Sequence, residues 1–360
     1  MAEKRVSRAQ APALDPAARA GDPEFDASQP ERRTDSDPDL EKLGVFTFSR
    51  LEKETKNEEE HMIDGFMKKQ SLNVVVGDSG LGKTALAVQL GSCVASGAPF
   101  LGRRVVKRGK VLYCDAESGM GDFKNIEHAI STFLGFTEPP KDFLVWNPYW
   151  TPIPAGSRVR DALLDRVYAV RPELVVVDPL RLFWPEALEK GSETSEMIGQ
   201  LRTASQKTGC SWLLLHHIRK ADRGKTRVTL EDGLEFFQEA AGAHAIINST
   251  DTRLGLERSS APRVDLNLAG FTRIKGWVGP FRISREHDDD GRPAGYKVMT
   301  GVEFLNDRYR GIYEDLDSEF RFKDVKRADG MSSSSASSFL EQCKANQLIQ
   351  KDGQLYKKTA

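Results

Sequence analysis

Between Val74 and Val88 the chain reads VVVGDSGLGKTALAV. Within it, Gly77 to Thr84 have the spacing G-x-x-x-x-G-K-T, the Walker A pattern. No other stretch restricts the fold as strongly. A buried strand over 72–76 has to deliver the chain to a tight turn, where glycines let backbone N–H groups close around phosphate oxygens. A helix then has to start near Lys83 with its positive end on the same anion. Both flanks have the apolar character this requires. The candidate ATP-binding segment is Gly77, Asp78, Ser79, Gly80, Leu81, Gly82, Lys83, Thr84 and Ala85. In it the Lys83 ammonium reaches the β- and γ-phosphates and the Thr84 hydroxyl ligates Mg²⁺.

The rest of the sequence fits around that element. Segment 1–42 is rich in Ala, Pro, Asp, Glu and Arg with few large apolar residues, so it reads as a disordered tail. From 43 to 300 strands and helices alternate: SLNVVVG, GKVLYCDAES, DFLVWN, PELVVVDPL and SWLLLHHI as strands, with amphipathic helices between them. Continuous Val/Leu runs mark strands buried on both faces, hence a mostly parallel sheet covered by helices. Past residue 250, TRLGLER, RVDLNLAGFTRI and GPFRISRE follow one another without helices and read as antiparallel extensions. Asp288, Asp289 and Asp290 read as a hairpin tip, since D-D-G-R-P is turn chemistry. Residues 301–318 read as a linker. In 319–360, Phe339, Leu340, Cys343 and Leu348 recur at helical spacing behind a serine run suited to N-capping, followed by two strands around an Asp-Gly turn.

With 360 residues and a formal net charge of −1, any basic, nucleic-acid-facing surface has to be local. The four cysteines are widely spaced and read as small buried hydrophobes in a reducing compartment. No apolar run approaches the ~18 residues of a membrane span, and no signal-peptide core is evident, so a cytoplasmic protein without membrane contact is expected.

Three further elements carry chemistry. VLYCDAES places Glu117 just past the end of a strand expected to neighbour the phosphate-loop strand, where a general base for water attack belongs; Asp115 is the competing carboxylate. PELVVVDPL ends in Asp178, a Walker B carboxylate expected beside the loop to hold Mg²⁺. WLLLHHIRK ends in His216 and His217. Neighbouring strand residues point to opposite faces, so one of the two, His216 or His217, is expected to sense the γ-phosphate while the other packs.

Taken in order, these motifs and AAGAHAIINSTDTRLGLER resemble the RecA-like ATPases of the plasmid RepA replicative-helicase type, relatives of the hexameric DnaB-type helicases, over about residues 46–285. The resemblance implies a RecA-like P-loop core, Mg-ATP hydrolysis at subunit interfaces of a homo-oligomeric ring, and roles for Lys83, Thr84, Glu117, Asp178 and the double-histidine strand. One departure matters. The family often has Arg-Gly-Ser where this chain has Ala241-Gly242-Ala243, so a trans-acting cation would have to come from elsewhere, with Arg273 or Lys275 as candidates. The loop 219–239, with Arg223, Lys225 and Arg227, would face single-stranded DNA. The C-terminal unit resembles a winged helix-turn-helix; Lys344, Lys351, Lys357 and Lys358 suggest DNA as its ligand, with a structural cap on the ATPase or a partner-docking module as the alternatives. The expectation is therefore an ATP-driven DNA helicase or translocase working with replication or recombination proteins. The alternatives are a non-translocating switch or loader, or a nucleotide-dependent DNA-binding regulator with low turnover.

Overall fold

A computed structural model describes residues 42, 45–50, 61–153, 155–188, 191–218, 228–239, 244–259, 266–273, 276–299, 301–305, 307–345 and 348–359. The expectations for 1–41, for loop residues 219–227, for Ala241–Ala243 and for Lys275 lie outside the described residues. The chain divides into two units, Met1–Glu59 and Glu60–Ala360. In the first, the Arg50 guanidinium lies 5.6 Å from the centre of the Phe46 ring.

The second unit opens with a short hairpin, β1 (His61–Ile63) and β2 (Met67–Lys68), before the phosphate-loop strand β3 (Leu72–Gly77) and helix α1 (Lys83–Ser96). Then come β4 (Val111–Asp115), α2 (Met120–Phe133), β5 (Phe143–Trp146), α3 (Val159–Val170), β6 (Leu174–Asp178), the short α4 (Leu180–Phe183), α5 (Gly191–Thr208) and β7 (Ser211–His217). After α6 (Leu234–Gln238) and α7 (His244–Ser249) the chain forms β8 (Thr252–Arg258), β9 (Leu266–Thr272), β10 (Gly276–His287) and β11 (Pro293–Val298). These strands build one sheet in the order β11-β10-β9-β8-β3-β7-β6-β4-β5. It is parallel from β8 to β5 and antiparallel from β8 to β11. The fold is thus α/β, with a mostly parallel sheet extended by antiparallel strands.

The order corrects one expectation. β4 does not neighbour β3; β7 and β6 lie between them, and β7 alone separates β6 from β3. Apolar runs make a strand buried on both faces but carry nothing about which strand lies next to it.

The sheet separates two cores. Val75, Tyr113, Val176, Leu213 and Leu215 pack on one side with α1 and with Phe123 and Ile130 of α2. Val74, Val76, Cys114, Val177 and Leu214 pack on the other with α3, α4 and α5. Helix α1 is buried almost all round, because β11 of the β10–β11 hairpin lies against it and α2. The Gln89 side-chain amide donates to the Tyr296 carbonyl at 2.8 Å and accepts the Tyr296 N–H at 2.7 Å. A Cβ on Gly295 would overlap the Phe133 ring, so the hairpin approaches α2 only because that residue is glycine. At the hairpin tip the Asp288 carboxylate accepts the N–H groups of Asp290 and Arg292. This is turn chemistry, and among the described residues no group of three or more His, Cys, Asp or Glu is arranged to hold a metal.

A third core occupies the C-terminal part. The stretch expected as a linker, 301–318, holds helix α8 (Asp307–Asp315), and Leu305, Ile312 and Leu316 are buried in that core. There follow β12 (Glu319–Arg321), α9 (Phe322–Ala328), α10 (Ser333–Ala345), β13 (Ile349–Asp352) and β14 (Leu355–Lys358), with the strands ordered β12-β14-β13. Phe339, Leu340, Cys343 and Leu348 are all buried there. Ser332 caps α10 by accepting the Ser335 N–H at 3.1 Å.

Three of the four lysines expected to face DNA are engaged within this part. Lys358 donates to the Leu316 carbonyl just past α8. Lys357 pairs with Glu319 and Asp352 at 3.5 and 3.4 Å, and Lys344 lies 5.5 Å from the centre of the Tyr356 ring. All four cysteines are buried and free. No described helix is long and apolar enough to cross a membrane.

Candidate active site

Side-chain parity decides what meets at the carboxyl edge of the sheet. Strand residues alternate between faces, and Val75, Tyr113, Val176 and Leu215 all face α1. Two residues further on, Gly77, Asp115, Asp178 and His217 share that face at the strand ends. Register agrees, pairing Gly77 with His217 and Asp115 with Asp178.

The loop leaves β3 at Gly77 and reaches α1 through Gly80 and Gly82, with φ of 77° and 86°. These left-handed values favour glycine. Ser79 and Gly80 are exposed at the tip, whereas Leu81 and Ala85 are buried beneath it. Lys83 is buried and its ammonium donates to the carbonyls of Gly77 and Asp78 at 2.9 and 2.7 Å. Burial lowers its pKa, and the carboxylates of Asp178, Asp78 and Glu117 oppose that shift. The lysine, Asp178 at the end of β6, Asp78 and Glu117 therefore share one electrostatic neighbourhood.

Asp178 is buried at the end of β6. Its Oδ2 accepts the Tyr113 hydroxyl at 2.7 Å, and the Thr84 hydroxyl lies close enough to favour its charged form. Burial pushes its pKa up to about 6; the hydroxyls of Tyr113 and Thr84 oppose the rise, and the nearby charges of Asp115 and Glu117 add to it. A buried carboxylate near the Thr84 hydroxyl, with the charges of two more carboxylates bearing on it, gathers negative charge. That is the environment a hard divalent cation satisfies, and Mg²⁺ characteristically takes one or two protein oxygens plus phosphate and water. The Thr84–Asp178 pair fits it.

Asp115 and Glu117 have different tasks. The buried Asp115 carboxylate accepts the N–H groups of Glu117 and Ser118 at 3.2 Å and the Asn147 amide at 3.4 Å. Those bonds use its oxygens to hold the turn after β4. Glu117, presented by that turn, is exposed at the sheet edge.

Of the two histidines, His217 and not His216 meets the loop. His217 Nδ1 lies 3.2 Å from Lys83 Nζ. Burial lowers its pKa to about 4, and the positive charges of Lys83 and Arg181 add to that. The ring is therefore neutral, with Nδ1 accepting from the ammonium and the ring proton on Nε2. His216 is buried on the opposite face, the side of Leu214. Sequence established that the two diverge, but the parity that faces α1 comes from the packing.

Arg273 lies at the other end of the sheet. Thr272 pairs with Thr252 at the amino-terminal end of β8, level with Asn73 of β3. The Arg273 guanidinium donates to the Asn248 carbonyl at 3.0 Å and pairs with Asp251 at 3.7 Å. It does not join Lys83, Asp178 and Glu117 within its own chain. Sequence reading missed Tyr113, which only the register of β4 on β6 brings to Asp178. It also missed Arg285 and Tyr296, which approach the loop from the hairpin.

Comparison with known proteins adds a family-level match. A family model described as an AAA domain matches residues 37–223, just over half of the chain. Among solved structures, a RadB recombinase aligns at 15% identity over 64% of this chain and 91% of its own, with a TM-score of 0.43. A KaiC-like protein from the hyperthermophilic archaeon Pyrococcus horikoshii aligns at 15% identity over 66% of this chain and 93% of its own, with a TM-score of 0.39.

Proposed function

The chain belongs to the AAA domain family, and from that premise we propose that it is a Mg-ATP-hydrolysing, RecA-like motor of the RepA replicative-helicase type. The observation that carries this reading is the convergence of Lys83, Thr84, Asp178 and Glu117 at one sheet edge, where each carboxylate bears on the lysine and the Thr84 hydroxyl bears on Asp178. Lys83 would neutralise the β- and γ-phosphates. Thr84 and Asp178 would hold Mg²⁺, which supplies charge neutralisation across the phosphate oxygens when bound. Glu117, exposed where water has access, would take the proton of the attacking water. His217, neutral and against Lys83, would sense the γ-phosphate through the ammonium.

In this reading the protein assembles as a homo-oligomeric ring, and Arg223, Lys225 and Arg227 track single-stranded DNA in its channel; the rest of the expected 219–239 loop is excluded, because 228–239 holds α6 and buries Leu230, Phe236 and Phe237 in the core. The C-terminal part has the order helix, strand, helix, helix, hairpin, as in winged helix-turn-helix modules. As a nucleic-acid contact it would use the exposed Lys323, Lys326 and Arg327 of α9 rather than the lysines held internally. Replication or recombination proteins would be its partners.

A second reading, a slow switch or loader, draws on Ala241-Gly242-Ala243 and on the intramolecular engagement of Arg273. An arginine finger contributes orders of magnitude in rate, so a ring without one would turn over slowly. Steady-state ATPase with and without single-stranded DNA at two salt concentrations separates the two. Stimulation that weakens with salt is expected of the motor. ATP turnover without any DNA response favours the switch, and no turnover at all removes the hydrolytic reading.

A further inference from the structure

The β10–β11 hairpin touches the phosphate loop from behind. The Arg285 guanidinium donates to the Leu81 carbonyl at 2.9 Å, and the Tyr296 hydroxyl donates to the Gly82 carbonyl at 3.1 Å. The Gly82 carbonyl also accepts the Leu86 N–H at 3.0 Å, closing the first turn of α1. A peptide unit is planar and trans, so a carbonyl and the N–H that follows it point in opposite directions. Holding the Leu81 carbonyl therefore aims the Gly82 N–H, and holding the Gly82 carbonyl aims the Lys83 N–H. Both N–H groups lie at the loop–helix junction, where an anion meets backbone donors.

The brace is itself well held. Tyr296 is buried, and its backbone takes both ends of the Gln89 amide of α1. Its ring lies 5.9 Å from the Arg285 guanidinium. Gly82 permits the arrangement twice over, because its φ is 86° and a Cβ there would overlap the Tyr296 hydroxyl.

Resting on the reading of this loop as an ATP site, we infer that Arg285 and Tyr296 are positioning residues that preset its phosphate-facing donors. They act from 204 and 214 residues further along the chain without touching the nucleotide. The α1 N-terminus is thus oriented by the antiparallel extension of the sheet as well as by its own glycines.

The test is equilibrium binding of a fluorescent ATP analogue and of ADP, with Mg²⁺, to the full chain and to Tyr296→Phe, Arg285→Met and Arg285→Lys. Tyr296→Phe keeps the ring and its packing and removes one donor, so Kd should rise by roughly 3- to 10-fold for both nucleotides. Arg285→Met should weaken binding by about 10-fold or more, the scale of a charged donor, and Arg285→Lys should recover part of that. In steady state the loss should appear mainly in KM, with kcat changed less. Wild-type Kd values in Tyr296→Phe and Arg285→Met would overturn the inference while leaving the ATP site standing. So would equal losses in Arg285→Lys and Arg285→Met that follow the melting temperature. If the wild-type chain binds neither nucleotide, the inference and the reading beneath it both fall.

Discussion

At the scale of single residues, the site divides its carboxylates by what already occupies them. Asp115 is consumed by backbone N–H groups, Asp178 is held by the Tyr113 hydroxyl, and Glu117 is exposed at the strand end. Glu117→Gln should accordingly bind ATP within a few-fold of wild type while turnover falls by roughly 10²-fold or more, the scale of a lost general base. Lys83→Ala should lose nucleotide binding itself; single-turnover hydrolysis alongside a binding titration distinguishes the two. Undiminished turnover in Glu117→Gln would return the role of base to another group. Asp178 gives a pH prediction. Its pKa is raised from 3.8 to about 6, chiefly by burial, so the native chain binds more protons than the unfolded one between those values. Stability therefore falls as pH rises from about 4 to 6 and stays lowered above that. The rise corresponds to roughly 3 kcal/mol. Without nucleotide or Mg²⁺, Asp178→Asn should be more stable than wild type by up to that amount at pH 7.5. Chemical denaturation should find the gap closed by pH 4, and a gap unchanged by pH would contradict the buried, charged carboxylate.

At the scale of elements, the runs that read as buried strands, LNVVVG, LVVVD and SWLLLHH, are β3, β6 and β7, and Lys83 opens α1 where the Walker A spacing puts it. These features are local, because apolar runs and glycine spacing are written in consecutive residues. Strand order is not local, and the adjacency expected of β4 and β3 was displaced by two intervening strands. The same limit separates His217 from His216, since divergence follows from the pleat but the facing side follows from packing against α1. It also hid the brace, because Arg285 and Tyr296 look like ordinary residues of a polar hairpin until β11 lies against α1. The intramolecular partners of the C-terminal lysines were hidden for a related reason. A charge count gives a basic patch only if the charges reach solvent unpaired, and here an α8-end carbonyl, two carboxylates and a tyrosine ring engage three of them. In 301–318, by contrast, Leu305, Tyr309, Ile312, Tyr313 and Leu316 recur at helical period and all pack in or against the third core, so α8 was legible there and the linker reading passed over it.

At the scale of the molecule, the open question is where positive charge on the far side of the γ-phosphate originates. In the proposed reading Lys83 serves the loop side. Arg273 stands at the opposite end of the sheet, about 17 Å along β3 at 3.3 Å per residue, held by Asn248 and Asp251. Its own nucleotide is out of reach, yet that edge is where a neighbouring subunit's site would have to meet it. A ring in which hydrolysis needs a neighbour behaves differently from independent subunits when inactive copies are mixed in. Titrating Lys83→Ala protein into wild type at constant wild-type concentration should alter activity per wild-type subunit if the ring reading holds, because mixed interfaces then enter the catalytic count. Arg273→Ala, mixed in the same way, reports direction. If it supplies the trans charge, its own intact loop should regain activity beside wild-type neighbours, and it should impair the wild-type loops it abuts. Strictly additive activity in both mixtures, under conditions where light scattering shows co-assembly, would mean that each subunit hydrolyses on its own. The cation would then have to lie within the same chain, with Arg181, whose charge already bears on His217, as the residue to substitute next.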